Sequence, residues 1–394
     1  MKNESIHDRE GFPMRTDRTR HAAPMILSYF LFLLLVLFGC SHQSNSEVKI
    51  GAIFSQTGPI APYGNKALEG LNLALDEYKG SGLAVSIIVE DAKSTPNGAI
   101  AAFQKLASVD KVAVIIGPES SGLAMAISSL ANNEKIVLFA PTISVDKYSS
   151  PNDFTFRNWP SARSIAQKMA DVCYNKLNYR KIAVMYINND MGASYSSAFK
   201  ERFKEFGGET VSMDSYLASD SNFGTQLSRI NSAKPDAIYL IGQVEMGQIL
   251  KQLHELNVKL PVLSGIGIED PKVKETAGAL INGIIYTTPA YNPISENAAV
   301  QKYDTAFRAK YNKASEIFAA STYDAMKILA QVIAQGNTTS EQIKNALFKT
   351  KDFAGATGRI SFDENGDVIK DISIKKIEDG EYIFLSEDLT PLKK

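Results

Sequence analysis

Lys111-Val112-Ala113-Val114-Ile115-Ile116-Gly117-Pro118-Glu119-Ser120-Ser121-Gly122 is the stretch whose reading decides the fold. Val112 to Ile116 is an apolar, largely β-branched run with no polar alternation, which suits a strand buried on both faces. A small polar loop and a helix start follow it. The same order recurs where Lys181-Ile182-Ala183-Val184-Met185-Tyr186-Ile187 leads through Asn188-Asn189-Asp190-Met191-Gly192 into another helical pattern. Two such strand, loop and helix units read as matching parts of two similar lobes. Working outward, short apolar runs recur at 48–54, 84–89, 112–116, 136–140, 181–187, 236–241, 261–263 and 283–287. Helical patterns lie between them, such as Ala67 to Tyr78, Ala99 to Ala107, Ile165 to Leu177, Tyr195 to Phe206 and Gly247 to Leu256. Strands alternating with amphipathic helices predict an α/β fold of parallel sheets covered by helices.

Two breaks divide the pattern, at Arg157-Asn158-Trp159-Pro160 and at Thr287-Thr288-Pro289-Ala290-Tyr291-Asn292-Pro293. Helices are expected at 296–312, 320–335 and 340–349, then a strand-turn signal from Gly358 to Asp367. The predicted division is residues 47–160 plus 290–360 for one lobe, and 161–289 plus 361–394 for the other.

The first 40 residues belong to neither lobe. Met25 to Gly39 is an apolar run ending at Cys40, with Arg15, Arg18, Arg20 and His21 ahead of it. It is shorter than the ~20 residues of a comfortable membrane-spanning helix and has the length of a signal-peptide core. Leu37-Phe38-Gly39-Cys40 resembles a bacterial lipobox, which makes Cys40 the expected lipid carrier and first mature residue. Translation starting at Met14 would give a more typical leader. Residues 41–46 are a polar linker. The chain beyond Cys40 is then expected outside the cytoplasm, held at a membrane surface.

Charge excludes several partners and chemistries. Lys plus Arg number 42 and Asp plus Glu 43, for a net charge of −1, and no basic run argues for nucleic acid. Of four histidines only His254 falls in the folded region, on the polar side of Gln248 to Leu256. A Ser/His/Asp triad would have to use it. No Cys/His spacing suits a metal, and no cofactor is expected. Cys173 stands alone in an apolar helical pattern, as a small buried hydrophobe. Gly265-Ile266-Gly267 opens like a dinucleotide fingerprint, but Asp270 stands where the third glycine belongs. Neither a Walker loop nor a Gly-x-Ser-x-Gly elbow occurs, which argues against an α/β enzyme.

In open α/β sheets ligands bind beyond the carboxyl ends of strands, where helix N-termini present free N–H groups to an anion. Three loops occupy such positions: Ser55 to Gly64, Gly117 to Gly122, and Ala140-Pro141-Thr142-Ile143-Ser144. Ser121, Thr142 and Ser144 are suited to cap a helix or to bond a ligand. Glu90-Asp91 ends the second strand as a solvated pair, and Asp324 is expected to be a cap or hinge contact.

The order and spacing of several stretches resemble the type I periplasmic binding proteins, in the branched-chain amino acid branch. They are Lys49-Ile50-Gly51-Ala52 with Thr57-Gly58-Pro59 and Tyr63-Gly64, then Ile116-Gly117-Pro118 with Ser120-Ser121, Ala140-Pro141-Thr142, Glu245 to Leu250, and Gly358 to Asp367. The resemblance implies two doubly wound parallel-sheet lobes joined by three crossovers and closing on a ligand. It assigns Ser121, Thr142 and Ser144 to the ligand's α-carboxylate and α-ammonium, with Ser120 and Ile143 beside them, and Tyr63 and Phe318 as aromatics lining the cleft. Met191 stands where the family often has tyrosine, and Ile266 where it usually has the acid that meets the ammonium. Glu269 or Glu119 is a candidate substitute; otherwise the ligand is a carboxylic acid, an amide or an aromatic compound. The implied role is a lipid-anchored solute-binding protein, a monomer that delivers a small ligand to ABC permease subunits. A ligand sensor of the same fold is the alternative.

Overall fold

The computed structural model describes residues 47–392. The leader, the linker and Cys40 lie outside the described residues. Among those described, no helix is long and apolar enough to cross a membrane.

The first sheet has the order β2-β1-β3-β4-β5. Its strands are β1 (Val48–Phe54), β2 (Val85–Asp91), β3 (Val114–Ile116), β4 (Val137–Ala140) and β5 (Thr155–Arg157). All pair in parallel, with Ile50 opposite both Ile87 and Val114. Helices α1 (Ala61–Tyr78), α2 (Pro96–Gln104) and α3 (Ser121–Glu134) connect them. The chain then forms α4 (Ala162–Asp171), β6 (Lys181–Ile187), α5 (Asp190–Glu205), β7 (Glu209–Tyr216), α6 (Gly224–Ser232) and β8 (Ala237–Ile241). Next come α7 (Met246–Glu255), β9 (Val262–Gly265), α8 (Pro271–Ala277) and β10 (Ile285–Pro289). Helices α9 (Ala298–Tyr311), α10 (Ile317–Ala334) and α11 (Ser340–Phe348) precede β11 (Phe353–Gly355), β12 (Gly358–Phe362), β13 (Val368–Ile369), β14 (Ile372–Glu378) and β15 (Glu381–Leu385). The second sheet runs β15-β14-β10-β9-β8-β6-β7, parallel from β6 to β10 and closed on one side by the antiparallel pair β14 and β15. This is the α/β architecture of two parallel-sheet lobes.

In each sheet the strand order reverses beside the first strand of its lobe, between β1 and β3 and between β6 and β8. Those are the switch points where loops part and leave a crevice. The chain changes lobe three times: after β5, after β10, and between β13 and β14. Helix α10 lies against α1 so closely that a Cβ on Gly70 would sit 1.9 Å from the Ala319 carbonyl oxygen. Fourteen of its 18 residues are buried, so it acts as a core helix on nearly every side.

The third crossing differs from the sequence expectation. Residues 358–369 stay with the first sheet, where Phe362 meets the rings of Phe139 and Phe156, and the Arg157 guanidinium bonds Asp367. The change of lobe therefore falls near Lys370 rather than at 360. Lys370 Nζ donates to the Asn158 carbonyl at 3.1 Å and to Thr357 Oγ1 at 2.5 Å, joining the first crossing to the third. Asp324, expected as a cap or hinge contact, lies in the middle of α10 and is not its cap, which is Glu316. It is fully buried and accepts from the amides of Ala356 and Thr357 at 2.6 and 2.8 Å. Cys173 is free and buried, which pushes its thiol well up, and His254 is exposed. Glu90 and Asp91 are tied structurally rather than merely solvated: Glu90 pairs with Lys105, and Asp91 accepts from the amides of Gln56 and Lys93.

Candidate ligand-binding cleft

The loops at both switch points face one another across a cavity of about 200 Å³. An enclosed apolar cavity of about 150 Å³ holds benzene, so this space suits a molecule of amino-acid size. Its first-lobe wall is built at the start of α3. Ser120 takes the N-cap position in extended conformation, yet its side chain makes no capping bond, which leaves the first-turn amides of α3 open toward the cavity. No acidic residue occupies that first turn, so the partial positive charge of the helix end is not neutralised locally. Ser121 Oγ accepts from the Ser144 amide at 3.4 Å, and Thr142 Oγ1 donates to the Glu119 carbonyl at 3.2 Å. Those bonds fix the β3 and β4 loops against each other, with both hydroxyls on the cavity wall.

An aromatic wall stands beside these groups. Phe318 stacks on Trp159 with ring centroids 5.2 Å apart, and tilts against Tyr63 at the same separation. Lys66, one turn along α1 from Tyr63, places its ammonium 5.5 Å from the Phe318 ring centre. It lines the cavity and has no carboxylate within 4 Å among the described residues.

The second lobe contributes Asn189, Met191 and Tyr195 from the start of α5, Gly242 and Gln243 after β8, and Ile266, Gly267, Glu269 and Asp270 after β9. Asn189 caps α5 by accepting from the Gly192 amide at 2.9 Å. The acids here are engaged. Glu269 accepts from Tyr286 at 2.5 Å and from Lys375 Nζ at 2.9 Å. Asp270 caps α8 through the Lys272 amide at 2.8 Å and accepts the Tyr63 hydroxyl from the other lobe. Burial, and then the Asp270 carboxylate, raise the Tyr63 phenol far above its ordinary range. Tyr63 is thus the donor in a hydrogen bond that spans the cleft.

Eight residues expected from the sequence meet in this cavity: Tyr63, Ser120, Ser121, Thr142, Ser144, Met191, Ile266 and Phe318. Ile143 does not. It is 1% exposed and belongs to the apolar cluster between α2, α3 and the first sheet, because alternate residues of its loop point to opposite sides. The sequence reading left out Lys66, Trp159, Tyr195 and Gln243. Of these only Tyr195 carried a local signal, one helical turn after Met191.

A model of the periplasmic binding proteins matches residues 47–381. The chain belongs to the periplasmic binding protein family. This family member is 25% identical over 357 residues to Leu/Ile/Val-binding protein homolog 3 of Brucella melitensis, covering 88% of this chain and 96% of that protein. The leucine-binding protein LivK of Thermotoga maritima superposes with a TM-score of 0.79 at 28% identity, over 86% of this chain and 98% of that one. A solute-binding protein of an ABC transporter from R. palustris, solved in complex with benzoate, superposes at 0.77 with 22% identity, over 89% and 98% of the two chains. At that identity the benzoate protein speaks for the shared fold. The family and these neighbours are solute-binding proteins, not enzymes.

Proposed function

We propose that this protein is the solute-binding subunit of an ABC importer. It is held outside the cytoplasm by lipid on Cys40, captures a small amino acid-like ligand between its lobes, and hands it to permease subunits. The observation that carries this reading is the two-walled cavity, with unneutralised helix amides and hydroxyls on one side and aromatic and apolar groups on the other. Ser120, Ser121, Thr142 and Ser144 hold the ligand's carboxylate end through charge-assisted hydrogen bonds. Tyr63 and Phe318 enclose its body from the first lobe, with Met191 and Ile266 from the second. Affinity comes from desolvating that body while each polar end keeps a partner. The three crossings near 160, 290 and 370 act as the hinge, and closure brings Tyr63 to Asp270. No bond of the ligand is made or broken.

The test is thermal unfolding against a panel of branched, aromatic and polar amino acids, their amides and short-chain carboxylic acids. A ligand at 100 times its dissociation constant stabilises the folded state by about 2.7 kcal/mol, and the midpoint rises accordingly. If no member of the panel shifts the midpoint, the ligand class is wrong. Transport is tested by uptake of the hit into cells with and without this protein; equal uptake would sink the importer role.

A further inference from the structure

Lys66 is a charged group of the cleft that the fold leaves without a counterion. Among the described residues it makes neither an ion pair nor a hydrogen bond, and its ammonium stands 5.5 and 5.7 Å from the ring centres of Phe318 and Tyr63. The rings attract the ammonium, but less strongly than a hydrogen-bonded carboxylate would. Lys66 also stands at a junction. A second cavity, of about 320 Å³, shares Lys66, Ile266 and Glu269 with the ligand cleft and is lined further by Tyr291, Tyr382 and Phe384. The acids that line the two cavities are already engaged. Glu119 is held by Ser55, Glu269 by Tyr286 and Lys375, and Asp270 by Tyr63 and the Lys272 amide. Glu316 gives its two oxygens to the amides of Phe318 and Ala319, at 2.9 and 2.6 Å, and attracts Lys66 only from a distance. The other lysine of the second cavity, Lys375, is paired with Glu269.

We propose that Lys66 receives a second anionic group at the far end of the ligand, so that the ligand is a dicarboxylate rather than a molecule with an apolar or neutral tail. One carboxylate takes the open amides at the start of α3. The body lies along the wall of Trp159, Phe318 and Tyr63, and the second carboxylate meets Lys66 on that same wall. The cavity beyond Lys66 gives the tail room that the cleft of about 200 Å³ does not supply by itself. Closing the lobes strips water from Lys66, and a desolvated ammonium without a counterion is costly. An apolar tail leaves that cost in place and an anionic tail removes it. This inference rests on the binding-protein reading and specifies the far end of its ligand.

The experiment is calorimetric titration of the full chain, purified in detergent, at a pH where both carboxyls of a diacid are ionised. Succinate, glutarate and adipate are each compared with the monoacid of the same chain length, butyrate, valerate and hexanoate. At least one diacid is expected to bind about tenfold or more tighter than its monoacid, the scale of a hydrogen bond between charged groups. Lys66→Met, which keeps an unbranched apolar stem against Phe318, should reduce that ratio to about threefold or less with the circular dichroism unchanged. Lys66→Arg keeps the charge and should retain most of the ratio. A monoacid that binds the wild type as tightly as its diacid overturns the inference without harming the binding-protein reading. So does a ratio that survives in Lys66→Met. The wild-type comparison decides even if a variant fails to fold. If none of these acids binds, this inference falls, while a midpoint shift with a neutral amino acid or amide would keep the binding-protein reading standing.

Discussion

The Tyr63–Asp270 hydrogen bond joins the two lobes across the cleft mouth, which makes Tyr63→Phe an informative single change. The substitution removes one hydroxyl and leaves the ring in place against Phe318, 5.2 Å away between centroids. The ligand-enclosing wall is therefore preserved and only the interlobe bond is lost. A hydrogen bond to a charged acceptor is worth about 1.5–3 kcal/mol. Asp270 lies at the cleft edge, where water replaces the lost donor in part, so the lower half of that range applies. Enclosure of the ligand needs both lobes, so the loss falls on the closed state and weakens binding by about 10- to 50-fold. Calorimetric titration of wild type and variant with the best ligand measures it. Small-angle scattering then shows whether the variant still contracts on ligand addition. Asp270→Asn provides the second arm, since asparagine caps a helix as well as aspartate does. The double variant should fall short of the sum of the single losses by about 1 kcal/mol or more. Affinity within about twofold of wild type in Tyr63→Phe, with unchanged contraction, would refute the claim that this bond holds the closed cleft.

Four further outcomes follow from other parts of the molecule. Gly70→Ala puts a Cβ 1.9 Å from the Ala319 carbonyl oxygen, so α1 and α10 must separate; urea unfolding should show a loss of about 3 kcal/mol, and an unchanged midpoint would disprove the contact. Asp367→Ala strands Arg157, which is 1% exposed, and should cost about 3–5 kcal/mol, whereas Glu275→Ala at the exposed Lys272 pair should leave the urea midpoint nearly unchanged; equal losses would contradict this. Burial holds the Lys370 ammonium down to about 7 against an ordinary 10.5, with attraction to Asp324 opposing it. Between those values the unfolded chain binds a proton the folded chain lacks, so stability rises with pH by at most about 1.4 kcal/mol per unit. Below 7 both states are protonated and the contribution is flat; urea midpoints at pH 7 and 9 check this, and Lys370→Met should remove the slope. Cys40→Ser should abolish incorporation of labelled fatty acid and release the protein from the membrane fraction; continued labelling would refute lipidation there.

The parallel strands were legible because burial on both faces writes a continuous apolar run, and β1, β3, β4, β6 and β8 fall within one or two residues of theirs. Strands that are wet on one face left no such mark. Glu209 to Tyr216 alternates polar and apolar groups on the edge of the second sheet, and Ile372 to Leu385 forms a hairpin rich in lysine and glutamate. Without a recognised hairpin there, the third crossing was placed at 360, although Phe362 is buried with Phe139 and Phe156. The site divides along the same line. Hydroxyls in loops after strands can be read in order along the chain, because each loop is local. Trp159 and Phe318 are 159 residues apart in sequence and stacked in space, and only the crossings bring them together. Glu119 shows the limit most clearly. Its identity and its place beside two serines are visible in the sequence. That it is buried and held by Ser55, from the loop after β1, depends on how the assembled sheet brings those loops together. Charge compensation is a property of the assembled cleft: the second-lobe acids Glu269 and Asp270 are matched by Lys375, Tyr286 and Tyr63, partners that lie 17 to 207 residues away along the chain.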